Sequence, residues 1–407
     1  MFIFLYKPLF ILSFITLTIV KDLQAQIPKQ PDQSLKKTID QNFKDANAQY
    51  HVMMKGLPAD QFPRSYNADK KTLVTSGSAW WCSGFYPGSL INIYKEANDK
   101  ELYDEALKKL GSLSKEQHNK TTHDLGFMMY CSFGNAYQID HSNEYKNILI
   151  NSAKSLITRF DPKVGCIKSW DSKDSSDYIV IIDNMMNLEL LFFATKATGD
   201  STYYKIAVTH ANTTMKNHFR PDYSSYHVVN YNAQTGAVKE RKTAQGAADE
   251  SAWARGQAWG LYGYTLMYRE TRDVKYLEQA KHIAHFILTN PHMPADKIPY
   301  WDFNAPGIPN APRDASAAAV MASGLLELGT YINGRLKQQY YSTAATIIKN
   351  LSGPQYKAAI GTNGGFLLKH SVGHKPAGTE IDVPLTYADY YFIEAMQRYQ
   401  LLSKHKP

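Results

Sequence analysis

An eight-residue pattern returns four times along this chain, and self-similarity at intervals of several tens of residues restricts a protein to architectures that stack one supersecondary unit. The pattern opens with Asp, places Leu or Tyr at the next two apolar positions and closes with Ala. It reads Asp99, Leu102, Tyr103, Ala106, then Asp200, Tyr203, Tyr204, Ala207, then Asp273, Tyr276, Leu277, Ala280. A fourth copy at 337–344 keeps Tyr340, Tyr341 and Ala344 without the Asp. An Asp at a helix start accepts bonds from backbone N–H groups that have no intrahelical partner, and positions +3, +4 and +7 share one face. Each copy is therefore expected to open an amphipathic helix.

A second, more apolar helix is predicted before every copy, giving six in all at 84–97, 124–138, 184–198, 255–271, 315–333 and 387–402. In the third of these, Met185, Met186, Leu188, Leu190, Leu191 and Phe192 leave little polar surface, as expected of a helix buried on all sides. Pairing each buried helix with the amphipathic one that follows gives about six αα-hairpins. Closed into a ring, six hairpins make an all-α (α/α)₆ toroid with the apolar helices inside. An open α-solenoid is the competing architecture, but it has no need of the Trp, His and paired acids found at the starts of the apolar helices.

The first residues read as a secretory signal: Lys7 precedes an apolar stretch, 8–20, too short to span a membrane comfortably, and Leu23, Gln24 and Ala25 offer a cleavage site. The expected division is a signal peptide at 1–25 and one catalytic domain at 26–407, with export to the periplasm and no membrane association after cleavage. No Pro/Ser/Gly-rich linker or charge block divides the remainder. Cys82, Cys131 and Cys166 are three in number and widely spaced, so neither a disulfide framework nor a Cys metal site is implied. The formal net charge of +8 suits an anionic partner. Basic residues are scattered among acids, which argues against nucleic acid and leaves an acidic carbohydrate, for which 28 tyrosines and six tryptophans supply stacking surfaces.

In a ring of parallel inner helices the N-terminal ends share one rim, where their dipoles favour anions. The predicted starts carry Trp81, His123 and Asp124, Asp183 and Asn184, Trp253, Arg255 and Trp259, and Arg313 and Asp314. Asp124 and Asp183 are the candidate catalytic acids, since two carboxylates brought together separate their titrations and one then holds a proton near neutrality. The alternative is that both merely cap helices. The apolar run Ile179 to Ile182 delivers Asp183, and an acid in such company calls for a purpose. The helix N-terminus favours the charged form, so repulsion from Asp124 would have to outweigh it.

Arg255 and Trp259, one turn apart, pair a carboxylate-binding fork with an aromatic platform for a sugar. His123 and His227 are candidate hydrogen-bonders to sugar hydroxyls, and Thr243 and Gln245 are placed on a loop near the mouth. Lys369, Ser371 and Lys375, in the C-terminal loop 369–375, are candidates to meet a sulfate. His282 and His285 are read as packing or surface residues, and Gly364 with Gly365 as a turn. There is no His-Glu-x-x-His, phosphate-binding Gly loop or Gly-x-Ser-x-Gly elbow.

The ordered run of motifs resembles glycoside hydrolase family 88, the unsaturated glucuronyl hydrolases, over nearly all of 80–396. The segments that carry the resemblance are 84–88, 123–127, 183–190, 225–229, 253–260, 299–303 and 313–318. It implies the (α/α)₆ fold, no metal or organic cofactor, Asp124 and Asp183 as the catalytic pair, and His227, Gln245, Arg255 and Trp259 as substrate contacts, with Trp81 at the cavity wall. The implied reaction removes a 4,5-unsaturated uronic acid from the non-reducing end of a glycosaminoglycan-type oligosaccharide, of disaccharide size, by hydrating its C4=C5 double bond. Asp183 would protonate C4, and water would add at C5 directly or through an intermediate involving the 2-hydroxyl. The alternatives are an unsaturated rhamnogalacturonyl hydrolase acting on pectin fragments, a non-catalytic periplasmic glycan-binding protein, and a polysaccharide lyase, which makes the double bond and does not consume it.

Overall fold

A computed structural model describes residues 33–404, so the predicted signal segment lies outside the described residues. Twelve α-helices follow in chain order: α1 (Gln33–Gly56), α2 (Phe85–Ala97), α3 (Lys100–Leu113), α4 (Asn135–Tyr137), α5 (Asn143–Ile157), α6 (Leu188–Thr198), α7 (Ser201–Asn217), α8 (Ala254–Thr271), α9 (Val274–Thr289), α10 (Ala315–Thr330), α11 (Gly334–Leu351) and α12 (Thr386–Lys404). The even-numbered helices form the inner ring of an (α/α)₆ toroid. Each inner helix, taken with the irregular turns that precede α4 and α6, packs on the next, and α12 closes on α2, while the odd-numbered helices lie outside. The outer helix paired with α12 is α1, the segment before the first repeat.

The repeat works as capping chemistry dictates. Asp99 accepts from the N–H groups of Glu101 and Leu102, Asp200 from that of Thr202, and Asp273 from that of Lys275. The residues at +3, +4 and +7 turn inward: Leu102, Ala106, Tyr203, Ala207, Tyr276, Leu277 and Ala280 are buried, Tyr103 and Tyr204 partly so. The fourth copy does not open its helix, since α11 begins at Gly334 after Asn333, whose side chain makes no capping bond. Another outer helix, α5, is capped by Ser142, which accepts from Tyr145 N. The inner helices are buried on nearly every side; in α10 every residue from Ala315 to Leu326 is buried.

Two inner helices depart from regular α geometry at their starts, both beside a candidate acid. The second begins as a π-helix, Gly126–Gly134, that continues into α4. The third begins as a 3₁₀ segment, Ile182–Asn187, that continues into α6. The run that delivers Asp183 is a β-strand, and the rim carries small antiparallel sheets that helical periodicity did not reveal. They comprise β1 (Phe62–Asn67) with β2 (Thr72–Ser76), β3 (Phe160–Asp161) with β4 (Cys166–Ile167), β5 (Asp177–Ile181), β6 (Val228–Asn232) and β7 (Val238–Lys242) in that order, and β8 (Ser371–His374) with β9 (Thr379–Val383). Gly364 and Gly365 form the predicted turn, with φ of 64° and 88° that only glycine adopts freely.

A cavity of about 170 Å³ lies away from the rim, among residues further along the inner helices, with Tyr130, Glu189, Arg269, Glu394 and Arg398 on its walls. Its charges pair with one another: Arg269 with Glu189, Glu270 and Glu327, and Arg398 with Glu327 and Glu394. No helix of the described residues is long and apolar enough to cross a membrane.

Candidate active site

Register brings the first two site residues together. Ile181 pairs with Val228 across β5 and β6, and Ile182 N–H donates to His227 O at 3.0 Å, so the residues just beyond are neighbours. His227 Nε2 lies 3.7 Å from Asp183 Oδ2. The β6–β7 hairpin then returns the chain to the same point, where Ala244 and Gln245 N–H both donate to His227 Nδ1, at 3.1 and 3.2 Å. With Nδ1 accepting twice, the proton of the neutral ring sits on Nε2, directed at Asp183. Burial, followed by the positive charge of Arg255, holds the His227 pKa well below the ordinary value, so the ring stays neutral.

The Asp183 carboxyl is raised to about 7, first by burial, then countered by Arg255 and raised again by Asp124, with its own backbone N–H and the Trp259 indole N–H lowering it. Burial is thus the main cause, and repulsion from Asp124, which was expected to outweigh the helix N-terminus, is secondary. Trp259 Nε1 stands close enough to influence the carboxyl but short of a well-formed hydrogen bond, and neither it nor Asp183 Oδ2 has a hydrogen-bonding partner. The Asp183 side chain keeps 13 % exposure and that of Asp124 keeps 15 %, enough for a ligand to reach both.

Asp124 is held by its own segment. Thr122 Oγ1 donates to its Oδ2 at 3.0 Å and accepts from its backbone N–H at 3.1 Å, while His123 Nε2 lies 3.4 Å from its Oδ1. His123 is 1 % exposed, and burial lowers its pKa while Asp124 and Asn184 beside it act in the opposite sense. It is placed to orient Asp124, and not, as expected, to meet a sugar hydroxyl.

Two further expectations need revision. Arg255 is buried, with Nη1 donating to Asp314 Oδ2 at 2.8 Å and Nη2 to Gly373 O at 2.7 Å, and it lies over Trp253 and Tyr387. A guanidinium so committed is not a free fork for a sugar carboxylate; its field acts on Asp183. Trp259 is fully buried against Phe127 and Tyr391, so it offers no face to a sugar and contributes its N–H. Trp81 is partly buried, set against Phe127 and 4.9 Å from Tyr387, as a cavity wall requires.

Gln245 is partly exposed near the mouth, its Nε2 bonded to Gly373 O at 2.9 Å. Thr243 is a turn residue: its Oγ1 accepts Gly246 N–H at 2.7 Å and its own N–H donates to Asp249. In the C-terminal loop, Ser371 is fully buried and Lys369 donates to Pro354 O, so neither faces the mouth for a sulfate; His374 and Lys375 stay partly exposed. Among the described residues no three His, Cys, Asp or Glu converge to hold a metal ion, and the three cysteines are apart and free.

Sequence reasoning missed Trp170, partly buried with its edge on His227, and the β8–β9 hairpin, which supplies the carbonyls that hold Arg255 and Gln245. Trp170 stands on no helix start, and backbone acceptors leave no trace in residue identity. Asp314 was visible at a predicted helix start without a role; it caps α10 through Ser316 and Ala317 N–H while gripping Arg255.

The model of a family described as Glycosyl Hydrolase Family 88 matches residues 57–403. An unsaturated glucuronyl hydrolase of Formosa agariphila is 47 % identical over 346 residues, covering 84 % of this chain and 86 % of the relative. An unsaturated chondroitin disaccharide hydrolase of Streptococcus agalactiae is 34 % identical, covering 78 % of this chain and 81 % of the relative. A crystal structure of an unsaturated glucuronyl hydrolase specific for heparin superposes with a TM-score of 0.87 at 48 % identity, covering 91 % of this chain and 98 % of that one.

Proposed function

Since the chain belongs to Glycosyl Hydrolase Family 88, we propose that it is an unsaturated glucuronyl hydrolase, releasing a 4,5-unsaturated uronic acid from the non-reducing end of glycosaminoglycan-derived disaccharides, with Asp183 and Asp124 as the catalytic pair. The observation that carries the assignment of roles is the state of Asp183: a carboxyl at the mouth whose pKa of about 7 lets it hold a proton at neutral pH and release it. Ordinary glycoside hydrolysis protonates the leaving oxygen. Here Asp183 gives its proton to C4 of the enol ether, and positive charge develops at C5. Water adds at C5 and returns a proton to Asp183. The C5 hemiketal opens to a ketone, and the C1 hemiacetal so formed lets go of the neighbouring sugar. Asp124 stabilises the developing charge, a task suited to a carboxylate fixed in place beforehand by Thr122 and His123. His227 Nε2 faces Asp183 Oδ2 across 3.7 Å, and Trp81, Trp170 and Gln245 line the approach.

The greater identity to the heparin-specific enzyme puts heparin-derived disaccharides ahead of chondroitin-derived ones as substrates. The N-terminal apolar stretch supports export to the periplasm, with a signal peptide at 1–25. The test is to incubate the protein with unsaturated disaccharides from heparin, chondroitin and rhamnogalacturonan and follow the enol-ether absorbance. Its loss on glycosaminoglycan-derived substrates is the expected result. Loss on the rhamnogalacturonan fragment alone would make it a pectin enzyme, tight binding without turnover a lectin-like protein, and a rise on intact polysaccharide a lyase.

A further inference from the structure

Asp124 stands directly before Leu125, the N-cap of the π-helix Gly126–Gly134, and its carbonyl accepts Met128 N–H at 2.9 Å. An Asp at a helix start ordinarily turns its carboxylate back onto an N–H two or three residues on, here Gly126 or Phe127. Asp124 makes neither bond; its Oδ2 takes the Thr122 hydroxyl. The orphan donor is satisfied from another helix, because Asn187 Oδ1 accepts Phe127 N–H at 3.0 Å. Asn187 ends the same 3₁₀ segment that carries Asp183, it is fully buried, and its Nδ2 has no hydrogen-bonding partner. Beneath this bond the two backbones touch: a Cβ on Gly126 would lie 2.4 Å from Asn187 Cα.

We propose that Asn187 is a positioning residue for the reaction, a cap borrowed from the neighbouring helix that releases the Asp124 carboxylate for chemistry and fixes its spacing from Asp183. The inference rests on Asp124 and Asp183 being the catalytic pair. Without the borrowed acceptor, Phe127 N–H is left buried and unpaired unless a nearby acceptor turns to it. The Asp124 carboxylate is three residues away at the start of the same helix, so it swings onto Phe127 N–H and away from the sugar. The groups facing Asp183 are Asp124 from just before the π-helix, Arg255 and the Trp259 N–H from α8, and neutral His227 from just before β6. Moving Asp124 away removes a negative neighbour, so Asp183 loses its proton at lower pH.

The experiment compares Asn187→Leu, Asn187→Ser and Asn187→Asp with wild type and Asp183→Asn, on whichever unsaturated disaccharide the wild type consumes best. Leu matches Asn in size without an acceptor, Ser is too short to reach Phe127, and Asp keeps the acceptor. Leu and Ser should lower kcat at least ~10-fold with KM within about twofold, since a misplacement on the ångström scale acts on the chemical step. Their basic pH limb should move to lower pH, and Asp should recover most of the lost kcat. If Leu does not fold, as judged by its melting curve, Ser carries the test. Wild-type kcat and an unmoved pH limb in Leu or Ser would overturn the inference while Asp183→Asn stays inactive. An active Asp183→Asn would instead overturn the assignment on which it rests.

Discussion

Asp183 shows how one side chain acquires its proton affinity from its surroundings. A strand edge, a buried arginine, an indole N–H and a second carboxylate act on it at once, and burial outweighs the rest. Because the Trp259 N–H favours the ionised form, Trp259→Phe keeps the ring packed on Phe127 and Tyr391 but removes a stabiliser of the anion. The Asp183 pKa should then rise, moving the basic limb of the kcat/KM profile to higher pH, opposite in sign to the Asn187 variants. A limb that stays put or moves down would mean that the indole does not act on this carboxyl. Sequence alone marked Trp259 as important and misread why. An aromatic near a sugar site suggests stacking, and only packing reveals that the ring is buried.

Among the elements, caps explain why some parts of the fold were legible and others were not. An N-cap is local, so the copies at Asp99, Asp200 and Asp273 announced three outer helices from their own residues, and inner helices were visible as long apolar runs. The fourth copy slipped by a turn because no Asp stood there to fix the start. The rim hairpins and the π and 3₁₀ starts depend on contacts between distant segments, such as Phe127 with Asn187, which no window of sequence contains. Caps also differ in what they hold. Asp273→Ala removes a single exposed capping bond and should cost about 1 kcal/mol of stability with activity unchanged. Asp314→Ala leaves Arg255 charged and unpaired in the interior, and should cost about 3–5 kcal/mol and most of the activity. Equal losses from the two, read by denaturant melts, would contradict the distinction.

At the scale of the whole molecule, the toroid sets several buried histidines behind its rim, and these make stability depend on pH. Burial lowers His210 to about 3 and His218 to about 4. An unfolded His titrates near 6.5, so between that pH and the folded values the unfolded chain binds more protons. The stability these rings allow is complete above about 6.5 and falls with pH at up to about 1.4 kcal/mol per pH unit for each ring. His210→Gln cannot take up that proton, so between about pH 6.5 and 5 its stability should fall less steeply than that of wild type. A parallel decline in the two would remove His210 from the effect. The same ring of helices that buries these groups gathers Asp124 and Asp183, 59 residues apart in sequence (183 minus 124), at one mouth. That convergence is tested most directly by the rate at which Asp183→Asn consumes the C4=C5 double bond of an unsaturated glycosaminoglycan disaccharide. A folded Asp183→Asn protein that is at least ~100-fold slower than wild type is the predicted result, and turnover near the wild-type rate would contradict it.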